Sequence, residues 1–153
     1  VANRRTLLDR FIDGLAEAAF EAHRPALVGL TVPFPGTVYG AFRIARRIKA
    51  LAPKTVTVLG GGYVNTELRD LDEPRVFDFF DYVTYDDGEP PLLRIVEAGL
   101  GGNPALLRTR IRRRGKVVWH DNPFVIVADT YEYLNMTWDQ AAPAAEVIWS
   151  HDN

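Results

Sequence analysis

One stretch, residues 56–67, limits what this chain can fold into, because an apolar strand runs directly into three consecutive glycines. The stretch opens with Val-Thr-Val-Leu, which is typical of a strand buried in a parallel sheet. Gly60, Gly61 and Gly62 then permit a sharp turn and the close approach of another backbone or a ligand. Ligands of open parallel sheets bind just outside the carboxyl ends of the strands. The stretch therefore predicts either a binding loop or a tight strand-to-loop turn.

The composition is that of a globular protein without disulfides or thiolate metal sites. The 153 residues suffice for one domain with a sizeable core, and 47% apolar and 25% charged residues are typical of a globular chain. A net charge of -2 gives no indication of nucleic acid or an anionic membrane as a partner. Without cysteine the chain has no disulfide, thiolate metal site or iron–sulfur ligand of its own, which favours a cytoplasmic protein. No apolar run approaches the roughly 20 residues of a transmembrane helix.

Helices and strands alternate in the first two thirds of the chain. Apolar spacings of three and four predict helices over residues 4–22 and 37–52. Short apolar runs at residues 26–32, 56–59 and 82–85 predict buried parallel strands. The first helix is amphipathic, and its apolar row contains Leu7, Leu8, Phe11, Ile12, Leu15 and Ala19. The order predicts an α/β fold containing a right-handed βαβ unit.

An acidic loop follows the third predicted strand. Pro90 suits the first turn of a helix that extends to Gly99, and Glu89 would then lie at the helix N-terminus, where a carboxylate is favourable. Asp86, Asp87 and Glu89 could alternatively hold Mg²⁺ through oxygen ligands. Acidic residues in such loops are more often helix caps and solvated charges.

The last third predicts a β-hairpin and an irregular tail. Residues 106–111 and 116–119 read as two strands around a turn that contains glycine. Arg108, Arg110 and Arg112 alternate on one side of the first strand and the residue that follows it. This alternation favours a solvated strand face, with a surface that steers a polyanion as the alternative. From residue 124 the periodicity fades, and the tail is expected to pack on the domain or on a neighbour.

Three features together resemble a known family. They are Leu-Val-Gly-Leu-Thr at residues 27–31, Leu-Gly-Gly-Gly at residues 59–62, and Asp-Tyr-Val at residues 81–83 leading to Asp-Gly-Glu-Pro-Pro-Leu at residues 87–92. The pattern is similar to the second half of the cobalamin (B12)-binding domain at the N-terminus of many radical S-adenosylmethionine proteins, and it covers about residues 25–98. The resemblance implies a truncated flavodoxin-like, Rossmann-like three-layer α/β fold with a parallel sheet, followed here by the hairpin and tail.

The same resemblance implies a binding site but no catalytic or metal-ligating residue. It places the nucleotide tail of cobalamin along the carboxyl ends of the strands. By position, the cofactor-binding residues are Thr31, Gly60, Gly61, Gly62, Gly88 and Glu89. The Asp-x-His-x-x-Gly motif that ligates cobalt in some of these domains is absent, as it is from many radical S-adenosylmethionine relatives.

Two further departures from the family pattern predict that the chain, which begins without methionine, is a piece of a longer protein. The family domain normally starts with one or two further β/α units, and the Cys-x-x-x-Cys-x-x-Cys that would hold a [4Fe–4S] cluster is missing. We expect residues 1–100 to form a partial cobalamin-binding-like domain. Residues 101–153 would link it to a radical core that carries S-adenosylmethionine and the cluster, so the fragment alone would not be catalytic.

Two other functions stay open at this point. A nucleotide- or phosphate-binding domain could use the glycine loop and the acidic loop with Mg²⁺. A non-catalytic interaction module could instead dock a partner through its apolar tail.

Truncation of a flavodoxin-like sheet predicts self-association. In the strand order 2-1-3-4-5, loss of the first two strands leaves residues 26–32 at the edge of the sheet. This strand is apolar and without charge, and such an edge pairs readily with another chain. We expect light scattering to show association that increases with protein concentration. A monomer across a wide concentration range would contradict the prediction.

Overall fold

A computed structural model describes residues 5–122 of the chain. The predicted tail from residue 124, the part of the linker beyond residue 122 and the predicted helix start at residue 4 lie outside the described residues. The elements in chain order are α1 (Leu7–His23), β1 (Leu27–Thr31), α2 (Pro35–Leu51), β2 (Val56–Gly60), α3 (Gly62–Thr66), a 3₁₀ helix (Pro74–Asp78), β3 (Tyr82–Thr84), α4 (Glu89–Gly99), β4 (Thr109–Arg113) and β5 (Lys116–His120). Within residues 5–122, no helix is both long and apolar enough to span a bilayer.

The strands form one five-stranded sheet in the order β1-β2-β3-β4-β5. The first three strands are parallel, and the hairpin β4–β5 continues the sheet in antiparallel fashion. The chain therefore has the predicted truncated flavodoxin-like α/β fold, with a mixed rather than wholly parallel sheet. Among residues 5–122, β1 is at the edge of the sheet, as the truncation argument predicts. Because Val83 pairs with Arg110, residues 109–120 belong to the same sheet as β1, β2 and β3. The domain boundary predicted at residue 100 stays a prediction.

The main core lies where α2 and the 3₁₀ helix meet β2 and β3. Its fully buried members include Ala45, Leu59, Phe80 and Val83. Phe42 of α2 contacts Phe79 and Phe80 edge-to-face, with ring centroids 5.3 and 5.1 Å apart. Such pairs contribute about 0.5–1.5 kcal/mol each beyond their buried area. These aromatic contacts fix the short segment ahead of β3 against α2.

Asp81, the first residue of the Asp-Tyr-Val motif, holds the amino ends of the strands together. Its carboxylate accepts hydrogen bonds from the Thr57 backbone N–H at 2.8 Å and from Lys49 Nζ at 2.6 Å. One side chain thereby joins β2, β3 and α2. Since Asp81 precedes β3, its carboxylate lies at the end of the sheet opposite to the glycines.

Helix α1 contacts α2 through its polar row rather than its apolar row. Tyr39 of α2 donates a hydrogen bond to Asp9, and Arg43 Nε donates to Asp13 at 2.7 Å. Farther along, Arg47 pairs with Glu17 of α1. Asp9 and Asp13 are only 6% and 7% exposed, so their charges are buried and paired. This polar contact between helices is called the α1–α2 seam below.

The seam makes the docking of α1 dependent on pH. The hydrogen bond from Tyr39 lowers the pKa of Asp9 to about 2, and the hydrogen bonds from Arg43 lower the pKa of Asp13. Because both values are lowered in the folded chain, the stabilisation is full above the ordinary aspartate pKa near 4 and is lost as pH falls toward about 2. We expect amide hydrogen exchange to show α1 opening before β2 in this range.

An Asp13→Asn variant is the matched control for this effect, because it removes one titrating seam carboxylate. Its α1 should exchange faster at neutral pH and change less with acid. Simultaneous opening of α1 and β2 in the unaltered chain would contradict the prediction.

Candidate functional site

The carboxyl ends of β1 and β2 are bound to each other through the glycine loop. The Val32 N–H donates to the Gly60 carbonyl at 2.8 Å, and the Tyr63 N–H donates to the Val32 carbonyl at 3.0 Å. Helix α3 starts at Gly62, the third glycine, so the strand, the turn and the helix follow one another without an intervening loop. These bonds place Thr31, at the end of β1, beside the glycines, as the resemblance implies.

Gly60 and Gly61 are required by contacts inside the protein. Gly61 has φ +108°, and a Cβ on it would lie 2.7 Å from the backbone nitrogen and oxygen of Val32. A Cβ on Gly60 would lie 2.8 Å from Thr84 Oγ1 at the end of β3. The tight-turn interpretation therefore accounts for these two glycines without any ligand.

The remaining four predicted site residues lie on the surface. A Cβ on Gly88 would meet nothing within 4 Å, and a Cβ on Gly62 would make only an ordinary contact of 3.5 Å with the Pro33 carbonyl. Thr31 and Glu89 are exposed. The predicted residues thus divide into two internal glycines that shape the edge and four positions that a ligand could reach.

The loop after β3 is bound to α3 through an asparagine. Asp86 has φ +61°, a left-handed conformation that aspartate tolerates better than most residues. Its backbone N–H donates to Asn65 Oδ1 at 2.6 Å, and its carbonyl accepts from Asn65 Nδ2 at 3.3 Å. The loop that leads to Gly88 is thereby held beside the glycine loop, and all three strand ends form one connected edge.

The Asp86 carboxylate is paired with two guanidinium groups. Arg69 and Arg108 both donate to it, and the bond from Arg69 is the main cause that lowers its pKa. Across residues 5–122, no three His, Asp or Glu side chains gather as metal ligands. The Mg²⁺ alternative therefore loses one of its three predicted carboxylates to an internal ion pair.

The alternating arginines Arg108, Arg110 and Arg112 bind groups within the protein, so the solvated-face interpretation fails for the half-buried Arg108 and Arg110, whereas Arg112 stays exposed. Arg110 donates to the Arg69 carbonyl at 2.7 Å, and Arg112 donates to the Phe77 carbonyl at 3.0 Å. Arg108, in addition to its bond to Asp86, pairs with Asp121 after β5. The three side chains join the hairpin to segments that lie up to 41 residues away along the chain.

Two aromatic rings, Tyr85 and Trp119, pack against Arg110. Tyr85 and Trp119 meet edge-to-face at 5.1 Å, and Arg110 Cζ lies 4.9 Å from the Trp119 centroid and 5.7 Å from that of Tyr85. Burial raises the pKa of Tyr85 to about 12, so its hydroxyl stays protonated and donates to the Leu68 carbonyl at 2.9 Å. Cation–π contacts of this kind contribute about 0.5–2 kcal/mol each.

Sequence reasoning missed Asn65, Arg69 and the internal role of Asp86. One local signal was present, since Asp-Asp-Gly is typical of a turn whose aspartate tolerates positive φ. The partners of that aspartate lie 17 to 22 residues away, and no local pattern indicates them.

No protein-family model and no curated protein matches this chain.

The internal role of Gly61 predicts a large cost for any side chain there. Gly61→Ala would place a Cβ against Val32 in a backbone region that is nearly restricted to glycine, and we expect a loss of roughly 3 kcal/mol in the free energy of unfolding. Urea denaturation measures this loss.

Gly88→Ala is the matched control. Gly88 has φ -70° and open space around it, so its unfolding free energy should stay equal or rise by up to about 1 kcal/mol. Similar destabilisation by both alanines would contradict the division of the glycines into internal and surface positions.

Proposed function

We propose that this chain carries a cofactor-binding α/β domain of a radical S-adenosylmethionine enzyme, with a cobalamin-type molecule as its ligand. The nucleotide tail of the ligand would lie along the carboxyl edge of β1, β2 and β3. The domain holds the cofactor and is not catalytic alone. S-adenosylmethionine and the [4Fe–4S] cluster would be bound by the rest of the longer protein, in the cytoplasm.

One observation carries this proposal: the backbone at Gly62 and Gly88 is uncovered at the edge where parallel sheets bind their ligands. An extended cofactor tail needs close access to the backbone together with a few polar groups for orientation. The exposed Thr31 hydroxyl is a suitable hydrogen-bonding group on the neighbouring strand. Glu89, the first residue of α4, is a further polar group beside Gly88.

Gly60 and Gly61 have an indirect role in this proposal. Their contacts with Thr84 and Val32 bring the strand ends close together and set the position of Gly62. A variant at Gly61 would disturb the fold and the site at once. A test of ligand binding therefore requires substitutions at the two surface glycines.

Equilibrium dialysis against hydroxocobalamin, followed by its visible absorbance, tests the proposal. We expect saturable binding to the full chain. Gly62→Val and Gly88→Val should each weaken it by about tenfold or more, because the added side chains would block the approach of the tail; a tenfold loss is about 1.4 kcal/mol of binding free energy. Gly14→Val in α1, where a Cβ also meets nothing within 4 Å, is the matched control and should bind normally.

Circular dichroism of all three variants separates a lost site from a lost fold. Absent binding by folded protein, or equal binding by the site and control variants, would contradict the proposal. A parallel dialysis with ATP and Mg²⁺ tests the nucleotide alternative, which predicts binding that depends on the metal.

A further inference from the structure

Phe34 is an aromatic residue that lies uncovered at the carboxyl edge. Its side chain is 69% exposed, and it is placed between the end of β1 and the start of α2. The backbone carbonyl of its neighbour Pro33 lies 3.5 Å from the position that a Cβ on Gly62 would take. Because adjacent Cα atoms are only about 3.8 Å apart, the Phe34 ring is attached close to the open backbone of Gly62. The ring therefore borders the surface that the proposed ligand would occupy.

Phe34 occupies a position where helices favour a polar side chain. It is the N-cap residue of α2 and has the extended backbone usual for that position, with φ -141° and ψ 158°, yet no side-chain hydrogen bond caps the helix. Serine, threonine, aspartate or asparagine would stabilise α2 more than phenylalanine does. Val38 and Phe42, later in the same helix, pack against the main core, to which Phe34 does not belong within residues 5–122. The residue type and its exposure therefore indicate a role other than folding.

The backbone on both sides of Phe34 is fixed. Pro33 and Pro35 restrict the neighbouring φ angles. The Phe34 carbonyl accepts hydrogen bonds from the Thr37 N–H at 3.1 Å and from Thr37 Oγ1 at 2.7 Å. A ligand that contacts the ring therefore meets a side chain on a preformed backbone, and little further chain entropy is lost on binding.

The chain around the ring is open and without charge. A Cβ on Gly36, in the first turn of α2, would meet nothing within 4 Å, and Thr31 is exposed. No charged residue occurs between Arg24 and Arg43 in the sequence. Arginine and lysine are the side chains that bind phosphate groups most strongly. This stretch therefore favours contact with a neutral planar ring over contact with a chain of phosphates.

We propose that Phe34 stacks on the planar aromatic base in the nucleotide tail of the ligand. This inference rests on the proposed function, because it assigns a contact to the ligand at the carboxyl edge. In cobalamin the base is a benzimidazole, which has two apolar faces. An aromatic side chain binds such a face by offset stacking. Phe34 thereby selects ligands that carry the base, while the open backbone at Gly62 and Gly88 accepts the chain that connects the base to the corrin.

Equilibrium dialysis of the full chain against two corrins tests this contact. Hydroxocobalamin carries the nucleotide with its base, and the aqua form of cobinamide is the same corrin without the nucleotide. We expect Phe34→Ala to weaken hydroxocobalamin binding about tenfold, as for the loss of one stacked base, and to leave cobinamide binding unchanged. Phe34→Tyr keeps an aromatic face and should retain most of the affinity for hydroxocobalamin.

A second variant, Phe34→Asn, separates ligand contact from folding. Asparagine at the N-cap accepts a hydrogen bond from a backbone N–H of the first helical turn, so urea denaturation should show unchanged or higher stability. The same variant should lose hydroxocobalamin affinity as Phe34→Ala does. A residue with a merely structural role would not lose binding while the fold stayed equally stable or became more stable.

Leu51→Ala is the matched control. Leu51 is a large, exposed apolar residue of the same helix, but it lies at the end of α2 opposite to Phe34. This variant should bind hydroxocobalamin and cobinamide as the unaltered chain does.

The outcomes separate this inference from the proposed function. If the unaltered chain binds neither corrin, the proposed function fails, and the assignment of Phe34 fails with it. If the unaltered chain binds hydroxocobalamin and Phe34→Ala changes nothing, only the assignment of Phe34 is overturned. Equal weakening of both corrins would also overturn it, because the ring would then contact a part of the ligand other than the base. Weakening by Leu51→Ala to the same degree would show a general effect of lost apolar surface and overturn it as well.

Discussion

The close contact between Gly61 and the Val32 backbone determines the geometry of the whole carboxyl edge. It allows the ends of β1 and β2 to approach, and the hydrogen bond from Tyr63 to Val32 then fixes the start of α3. Asn65 of α3 accepts a hydrogen bond from the Asp86 backbone, and the Asp86 carboxylate in turn binds Arg69 and Arg108. The position of the hairpin therefore depends, through a series of contacts, on a residue without a side chain.

The element order and the α/β class could be predicted from sequence because their signals are local, whereas the edge position of β1 was predicted from the strand order that the resemblance implies. The run before Gly60 is apolar and β-branched, and Pro90 marks the first turn of α4 where a missing N–H is harmless. The site residues were placed on one edge through the family resemblance, and the carboxyl ends of the parallel strands β1, β2 and β3 do lie at the same edge. Sequence alone does not distinguish a glycine that a close contact inside the protein requires from a glycine whose surface stays open to a ligand.

What sequence reasoning missed are polar contacts between distant segments. The alternating arginines Arg108, Arg110 and Arg112 were expected to form a solvated strand face, because charged residues are rarely buried without a partner. Their partners lie 13 to 41 residues away along the chain, as the Arg69 carbonyl does from Arg110. In the same way, Asp9 of α1 finds its partner in Tyr39, 30 residues away. Only the tertiary structure brings these groups together. The periodicity of α1 therefore does not indicate that its polar row, rather than its apolar row, contacts α2.

The two hydrogen bonds between the Asn65 side chain and the Asp86 backbone have a consequence for the recognition of a ligand. A loop held in a left-handed conformation by two hydrogen bonds and two ion pairs has already lost its conformational freedom during folding. A molecule that reaches the surface beside Gly88 meets a rigid rim and loses little further chain entropy there. Selectivity at this rim then comes from shape, because a molecule that does not match cannot be accommodated by rearranging the loop.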